Sequence, residues 1–362
     1  MSFYTSSSES HRSFVFWLLI PVVGLFALGV YLQPLFGDLT RIGSYAEKDF
    51  DLNNPQLEFQ QPLSEIGRYE CYYDVVVLSD SFSTGRPHLH WQNYLVVAKG
   101  WSVATLDINK IDLEQVLENP VFRERPPKIF ILGTVKRELP RRITHGKYCD
   151  YCDAIALPKQ AGVTIRPSPV TIPVHVRELQ GLAKLVERET AWRDIKLGYV
   201  RGYIWNSLLR DLLGDAHTDA AKVELAKTAP FSSVNKHAML VYKDDFRKVE
   251  RWREMGMPEI GCRIEKMRKQ VEANGQTRFV LMVAPDKLTA YADFLRDKGL
   301  HDISALSELS VHLPEVMPRL DLALTSAIND GEQDVYLPDD THWGSSGNQI
   351  AAETLLTFLR NP

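Results

Sequence analysis

The chain has 362 residues, enough for one large or two ordinary domains with a sizeable core. Its 42 Lys and Arg against 46 Asp and Glu leave a formal net charge of −4, which excludes an overall basic nucleic-acid binder. Charged residues at 24% and hydrophobic residues at 44% exclude global disorder, and four cysteines are too few for a disulfide-built scaffold.

From Ser13 to Gly37 no side chain is charged, and Phe14–Val30 reads FVFWLLIPVVGLFALGV. A bilayer core about 30 Å thick takes roughly 20 helical residues, the length that Phe14–Phe36 supplies. Trp17 and Tyr31 sit near its two ends, where interfacial aromatics are favoured, and Pro21 and Gly24 are tolerated in membrane helices. The run is long for the apolar part of a signal peptide, and no small-x-small cleavage site precedes Gln33-Pro34. An uncleaved transmembrane anchor is therefore expected over 14–36. The flanks carry His11 and Arg12 against Glu9 on one side and Asp38, Arg41 and Lys48 on the other, so the positive-inside rule decides little. A short tail before a large domain places residues 1–13 in the cytoplasm. The body is then expected outside the cell membrane, which in a Gram-negative cell is the periplasm.

Residues 37–68 are polar with few periodic apolar positions and read as a stalk. Next comes a buried-strand signal, Asp74–Leu78, ending at Ser79-Asp80-Ser81-Phe82-Ser83. A helix over 91–100, a strand over 102–106, a helix over 108–119 and a strand over 128–132 follow. This alternation of helices with continuous apolar strands predicts an α/β fold, a parallel sheet covered on both faces. Residues 140–240, with a Pro-rich stretch at 165–169 and a helical stretch around 175–212, read as an insertion in a domain spanning 69–362. The pattern returns with a helix at 260–274, a strand at 278–283 and a last helix at 346–359.

Reacting groups in open α/β sheets gather at the carboxyl ends of the strands, where Ser81 falls. A serine hydroxyl needs a base to take its proton. Asp339-Asp340-Thr341-His342-Trp343, just before the last helix, offers a histidine with an acid to orient it. Each signal has a plainer reading: Ser81 as a helix cap, the aspartates as turn residues, His342 as a surface histidine. Asp339 has Asp-x-x-His spacing and Asp340 has Asp-x-His spacing. Pro338 and Gly344 make a loop of this stretch and favour Asp340.

Together the two ends of the chain resemble the SGNH/GDSL hydrolase layout, and more narrowly the alginate O-acetyltransferase family of AlgX/AlgJ-like proteins. The resemblance rests on Leu78–Ser83 (LSDSFS), Val283–Tyr291 (VAPDKLTAY), Tyr336–Trp343 (YLPDDTHW) and Gly347 onward, and spans roughly 70–362. It implies an SGNH-hydrolase-like three-layer fold with a central parallel sheet, preceded by the single transmembrane helix. It also implies acetyl transfer to the hydroxyls of an exopolysaccharide, with Ser81 as nucleophile, His342 as base and Asp340 as orienting acid. No cofactor, metal or nucleic acid is implied. Arg137, Lys287 and Tyr291 are the further positions that resemble the family or face its site. The serine here precedes the Asp-x-His, whereas several family members have the reverse order. The usual asparagine block is replaced after the Phe130 strand by Gly133-Thr134-Val135-Lys136-Arg137-Glu138. Gly100 is a candidate oxyanion donor beside the Ser81 N–H. Cytosolic acetyl-CoA does not reach a domain outside the membrane, so a membrane-bound O-acyltransferase is the implied partner that relays the donor. The rival readings are a carbohydrate esterase using the same residues and a non-catalytic scaffold of a polysaccharide-export complex.

Cys149-x-x-Cys152 has half the spacing of a zinc site, with His145 nearby. A local disulfide is the favoured use in an oxidising compartment, and Cys71 with Cys262 is a second pairing open to the sequence.

Overall fold

The computed structural model describes residues 8–32, 35–144, 179–188, 195–227, 230–300 and 304–360. The apolar N-terminal run forms one helix, α1 (Ser8–Leu32), and its part His11–Leu32 is long and apolar enough to cross a membrane. Phe14, Trp17, Val23 and Phe26 stand exposed along it, so the rest of the protein does not bury this surface.

After α1 come two short helices, α2 (Asp38–Gly43) and α3 (Glu47–Phe50), and two short strands, β1 (Gln56–Phe59) and β2 (Glu65–Ile66). The first long strand, β3 (Val75–Ser79), runs straight into α4 (Ser81–Thr84), followed by α5 (Trp91–Lys99) and β4 (Val103–Asp107). A capping box between Asp112 and Gln115 starts α6 (Leu113–Glu118) five residues later than the sequence pattern predicts. Next are α7 (Pro120–Glu124), β5 (Ile129–Val135) and α8 (Leu139–Thr144). The region 140–240 contributes β6 (Ala183–Val186), α9 (Leu197–Leu213), β7 (Ala220–Glu224) and β8 (Ala238–Tyr242). The chain closes with α10 (Asp244–Met255), α11 (Met257–Glu272), β9 (Arg278–Ala284), α12 (Lys287–Ala290), α13 (Ser304–His312), α14 (Leu320–Asn329) and α15 (Ser345–Arg360).

Five strands make the central sheet in the order β2-β4-β3-β5-β9, and every neighbouring pair is parallel. The apolar runs are continuous because both faces are covered. On β3, Val75 and Val77 pack into one core with Trp91, Leu324 and Leu355, while Val76 and Leu78 pack into the other with Val116, Ile264 and Leu309. The same alternation holds on β5 and β9, as period-2 geometry requires. From β3 the chain crosses first to β4 on one side and then to β5 on the other. The carboxyl end of β3 is thus a topological switch point, where open α/β sheets place their ligands.

Two expectations change here. Residues 37–68 are packed against the body. Leu39 and Phe50 share a small core with Ala220 and Leu240, β1 pairs antiparallel with β6, and β2 is an edge strand of the main sheet. Their apolar positions are too sparse for a periodic signal because each segment is only one helical turn or one short strand long. The described part of 140–240 is continuous with this lead-in, so the two build one flank of the domain. The CxxC motif, His145 and the Pro-rich stretch lie outside the described residues. Cys71 is free and exposed while Cys262 is disulfide-bonded, so those two do not pair with each other.

A side chain at Gly133 would place its Cβ 2.3 Å from Ser79 Oγ, on the neighbouring strand just before the Ser81 turn. Gly133→Ala is expected to cost about 1–3 kcal/mol through overpacking, read from urea denaturation. It should also lower labelling of Ser81 by a fluorophosphonate probe, because the displaced Ser79 leads directly into Ser81.

Candidate active site

Ser81 is the first residue of α4, and Asp80 is its cap. The Asp80 carboxylate accepts from Phe82 N at 3.1 Å and, through its other oxygen, from Val135 N at 2.8 Å. One aspartate therefore closes the turn and ties it to the end of β5. Ser83 Oγ donates to Ser79 Oγ at 2.9 Å and accepts from Trp91 Nε1 at 3.1 Å, fixing the turn from beneath. Ser81 is left exposed, at a helix start whose first N–H groups have no intrahelical acceptor.

The 261-position gap to His342 is closed by the fold: His342 Nε2 lies 2.7 Å from Ser81 Oγ. On the other side of the ring, Nδ1 lies 2.7 Å from Asp340 Oδ1. A carboxylate only accepts, so Nδ1 carries the proton and Nε2 is free to accept from the serine hydroxyl. The second Asp340 oxygen accepts from Arg86 Nη2 at 2.7 Å. Burial by itself raises the Asp340 pKa, but the His342 hydrogen bond and charge and the Arg86 guanidinium outweigh it. They hold the carboxyl well below the usual carboxylate range. Asp340 thus stays ionised wherever the imidazole works.

The loop that carries this pair is held by a buried ammonium. Lys287 Nζ donates to the carbonyl oxygens of Leu337, Pro338 and Asp340 at 3.0–3.1 Å and stands 5.0 Å from the Phe231 ring centroid. Burial lowers its pKa to about 8, with Asp339 and Asp340 pulling the other way. Tyr291 supports the same loop through its hydroxyl, which accepts from Tyr336 N at 3.2 Å. Tyr336 in turn donates to Pro285 O at 2.5 Å.

Asp339 faces away from His342. It pairs with Arg188, which also reaches Asp51 at 2.8 Å and Glu47 at 3.6 Å. Its backbone oxygen accepts from Leu39 N at 2.9 Å. Gly37 sits so close that a Cβ there would meet that oxygen at 2.2 Å. Burial and the neighbouring Asp339 carboxylate raise the Glu47 pKa to about 9, against the opposing pull of Thr40 and Arg188. Asp339 is therefore the clasp that binds the segment after α1 to the His342 loop. Asp38, at the start of α2, brings its carboxylate within 4.8 Å of the facing atoms of Asp340 and His342. Both acidic groupings are already engaged by the protein's own donors, Arg188 in one and His342 with Arg86 in the other.

The remaining sequence candidates stand further off. Arg137 is buried, bonded to Asp245 at 3.0 Å and reaching Thr341 Oγ1 at 3.5 Å, so it acts on the loop and does not touch Ser81. Lys287 and Tyr291 hold the loop and do not line the reacting atoms. Gly100 is a correction. It ends α5 just before β4, at the amino end of the sheet, and its N–H is spent on Val96 O at 2.8 Å. The first residues of β4 and β3 pair with each other, so the whole length of β3 separates Gly100 from Ser81. Sequence reasoning missed Arg86, His90 and Asp38. His90, neutral because burial and the nearby His342 and His88 depress its pKa to about 3, accepts from Arg86 N at 2.9 Å. The four-residue spacing of Arg86 and His90, directly after the serine turn, was the available signal.

Residues 240–362 match the family model described as the SGNH hydrolase-like domain of acetyltransferase AlgX. Over that segment the chain is similar to the AlgX-type SGNH domain. No curated protein and no solved structure matches the chain. The matched segment contains Asp340, His342 and Lys287, and the fold adds Ser81 and Arg86 from the amino-terminal part. It marks the domain as of the acetyltransferase type.

Asp340→Asn and Asp339→Asn separate the two carboxylates. The first is expected to lower kcat by roughly 10³–10⁴ through loss of the working tautomer. The second should cost about 1–3 kcal/mol of stability with kcat little changed. Asp340 has a depressed pKa in the fold, so its stabilising contribution is present above its unfolded value of about 3.9 and declines as pH falls below it. Wild-type Tm should therefore drop more steeply on acidification below about pH 4 than that of Asp340→Asn, as followed by circular dichroism.

Proposed function

We propose that the protein is a membrane-anchored, extracytoplasmic O-acetyltransferase that moves acetyl groups onto hydroxyls of an exopolysaccharide of the alginate type. The observation that carries this reading is the unbroken hydrogen-bonded series from Ser81 through His342 to Asp340 in a domain of the AlgX acetyltransferase type. The apolar helix α1 supports the anchor, and the short tail before it supports a body outside the membrane.

The chemistry is two acyl transfers at one serine. Ser81 Oγ attacks the acetyl carbonyl of the donor as its proton passes to His342 Nε2. The bond to the donor's leaving group then breaks, and that group takes the proton from the imidazolium. A sugar hydroxyl next gives its proton to Nε2 and attacks the acetyl-serine, and the Oγ–C bond breaks as Ser81 recovers a proton from His342. Asp340 stays ionised throughout and stabilises the imidazolium. The Ser81 N–H at the start of α4 is the donor we assign to the developing oxyanion, a contact commonly worth about 3 kcal/mol. The donor side requires a carrier that brings acetyl groups across the membrane, and we assign that task to a membrane-bound O-acyltransferase.

The exposure of Ser81 also admits water, which favours a hydrolytic second reading, a carbohydrate esterase. Incubation with a chromogenic acetyl ester and a mannuronate oligosaccharide distinguishes the two. The transferase gives acetylated oligosaccharide and a trapped acetyl-enzyme by mass spectrometry, and Ser81→Ala gives neither while remaining folded. Release of free acetate alone, with acceptor in excess, would convert the assignment to esterase. Full activity of Ser81→Ala would reject both.

A further inference from the structure

A surface helix of a globular protein turns its apolar stripe inward and its polar face to water. Helix α9 does the reverse. Its packed face carries polar groups whose partners are oxygens of α2 and of Ser44 just after it. Tyr199 Oη donates to Thr40 O at 3.1 Å, Asn206 Nδ2 to Ser44 Oγ at 2.9 Å, and Arg210 to Gly43 O and Ser44 O at 2.8 and 2.7 Å. Opposite them, Leu197, Ile204, Trp205, Leu208 and Leu212 share one exposed arc, with Trp205 60% and Leu212 70% exposed. The spacing 197, 204, 208, 212 is helical, so these side chains fall on one side of α9. Arg201 projects from within that side, Asp211 borders it, and Lys196 is the N-cap position of the helix.

The position of α9 says what covers this stripe. Its first turn packs against the last turns of α1, where Leu32 and Val200 are buried together with Leu28, Tyr199 and Tyr203 around them. Gly29 of α1 lies so close to Ile195 that a Cβ there would meet it at 2.5 Å. The exposed apolar surface of α1 therefore continues onto α9 at the end of α1 that adjoins the folded body.

We propose that α9 lies in the membrane interface beside α1, with its outward stripe seated at the headgroup–acyl boundary of a phospholipid bilayer. The inference rests on reading α1 as a membrane span. Lys196 and Arg201 extend to the phosphates while their stems lie along the apolar boundary. Through the α2–α3 turn, α9 is coupled to Gly37 and Leu39, which contact Asp339 in the His342 loop. A bilayer contact at α9 thus fixes the height of the site above the membrane, where an acetyl group handed over by a membrane carrier first emerges.

The test uses the full chain in vesicles of phosphatidylethanolamine and phosphatidylglycerol. An environment-sensitive fluorescent amino acid is incorporated by amber suppression in place of Leu208, of Leu19 within α1, or of Val311 on the exposed face of α13, so that no native cysteine is labelled. Phospholipids carrying doxyl groups high on the acyl chain are the quenchers. The probe at 208 is expected to shift blue and lose roughly half its emission, as a group buried about 5–10 Å into the boundary should, while the probe at 311 stays unquenched. Quenching at 19 without quenching at 208 would overturn the interfacial helix and leave the anchor standing. No quenching at 19 would overturn the anchor and, with it, this inference. A blue shift at 208 that depends on protein concentration and is insensitive to doxyl lipid would mean that a second copy covers the stripe, which also overturns it.

Discussion

The three bonds from the buried Lys287 ammonium to the carbonyls of Leu337, Pro338 and Asp340 decide the shape of the site. A tight loop turns several backbone oxygens to one side, and in a dry interior those oxygens need donors. One ammonium with three protons meets the need at a single point. With the backbone so held, adjacent side chains leave in different directions. Asp340 reaches His342 and Arg86, and Asp339 reaches Arg188. Two neighbouring carboxylates thus acquire separate work from one positioning contact. One stays ionised beside the imidazole, and the other pairs with Arg188 and binds the chain segment leaving α1.

This division couples the Ser81–His342–Asp340 geometry to the segment that follows the apolar helix. The Arg188, Glu47 and Asp51 cluster, the Gly37–Asp339 approach and the Leu39 N–H bond all join the start of the folded body to the loop bearing His342. A buried pair that loses one member leaves the other charge uncompensated, so the joint resists piecemeal loosening. The domain is consequently not a globule on a flexible tether. Its active-site loop is fastened to residues that directly follow the apolar helix, and the orientation of the site relative to that helix is set by packing.

The parallel sheet was readable from the sequence because its strands are buried on both faces, and double burial writes an uninterrupted apolar run such as Val75–Leu78. The Ser81 turn and the Asp-Thr-His-Trp string were readable because local chemistry fixes them: an aspartate cap in one case, a proline-bounded loop in the other. What stayed hidden is long-range. Arg188 reaching Asp339, or Lys287 reaching three carbonyls, depends on backbone positions 50 or more places apart, as the 50- and 151-residue separations of these bonds record. The lead-in at 37–68 read as a stalk because short elements leave no periodicity, although Leu39 and Phe50 are core residues. Gly100 was placed near the serine only by its position before a strand. The register of β3 with β4 puts it at the opposite end of the sheet.

The family match covers the carboxyl-terminal segment, yet the proposed nucleophile comes from an amino-terminal turn, which is possible because α/β sheets specify sites by space rather than by chain order. β3 and β9 flank β5 in one parallel sheet, so the carboxyl ends of early and late strands open onto the same edge. A serine after β3 and a histidine on the loop before α15 therefore meet whichever comes first in the sequence. A serine-first order serves the proposed chemistry as well as a histidine-first one, as long as the strand neighbours are kept. What the order changes is the lead-in: with the serine early, the segment that supports it is also the one that leaves the apolar helix. In this chain the proposed nucleophile, its base and the Asp339 clasp behind the apolar helix are parts of one packed unit.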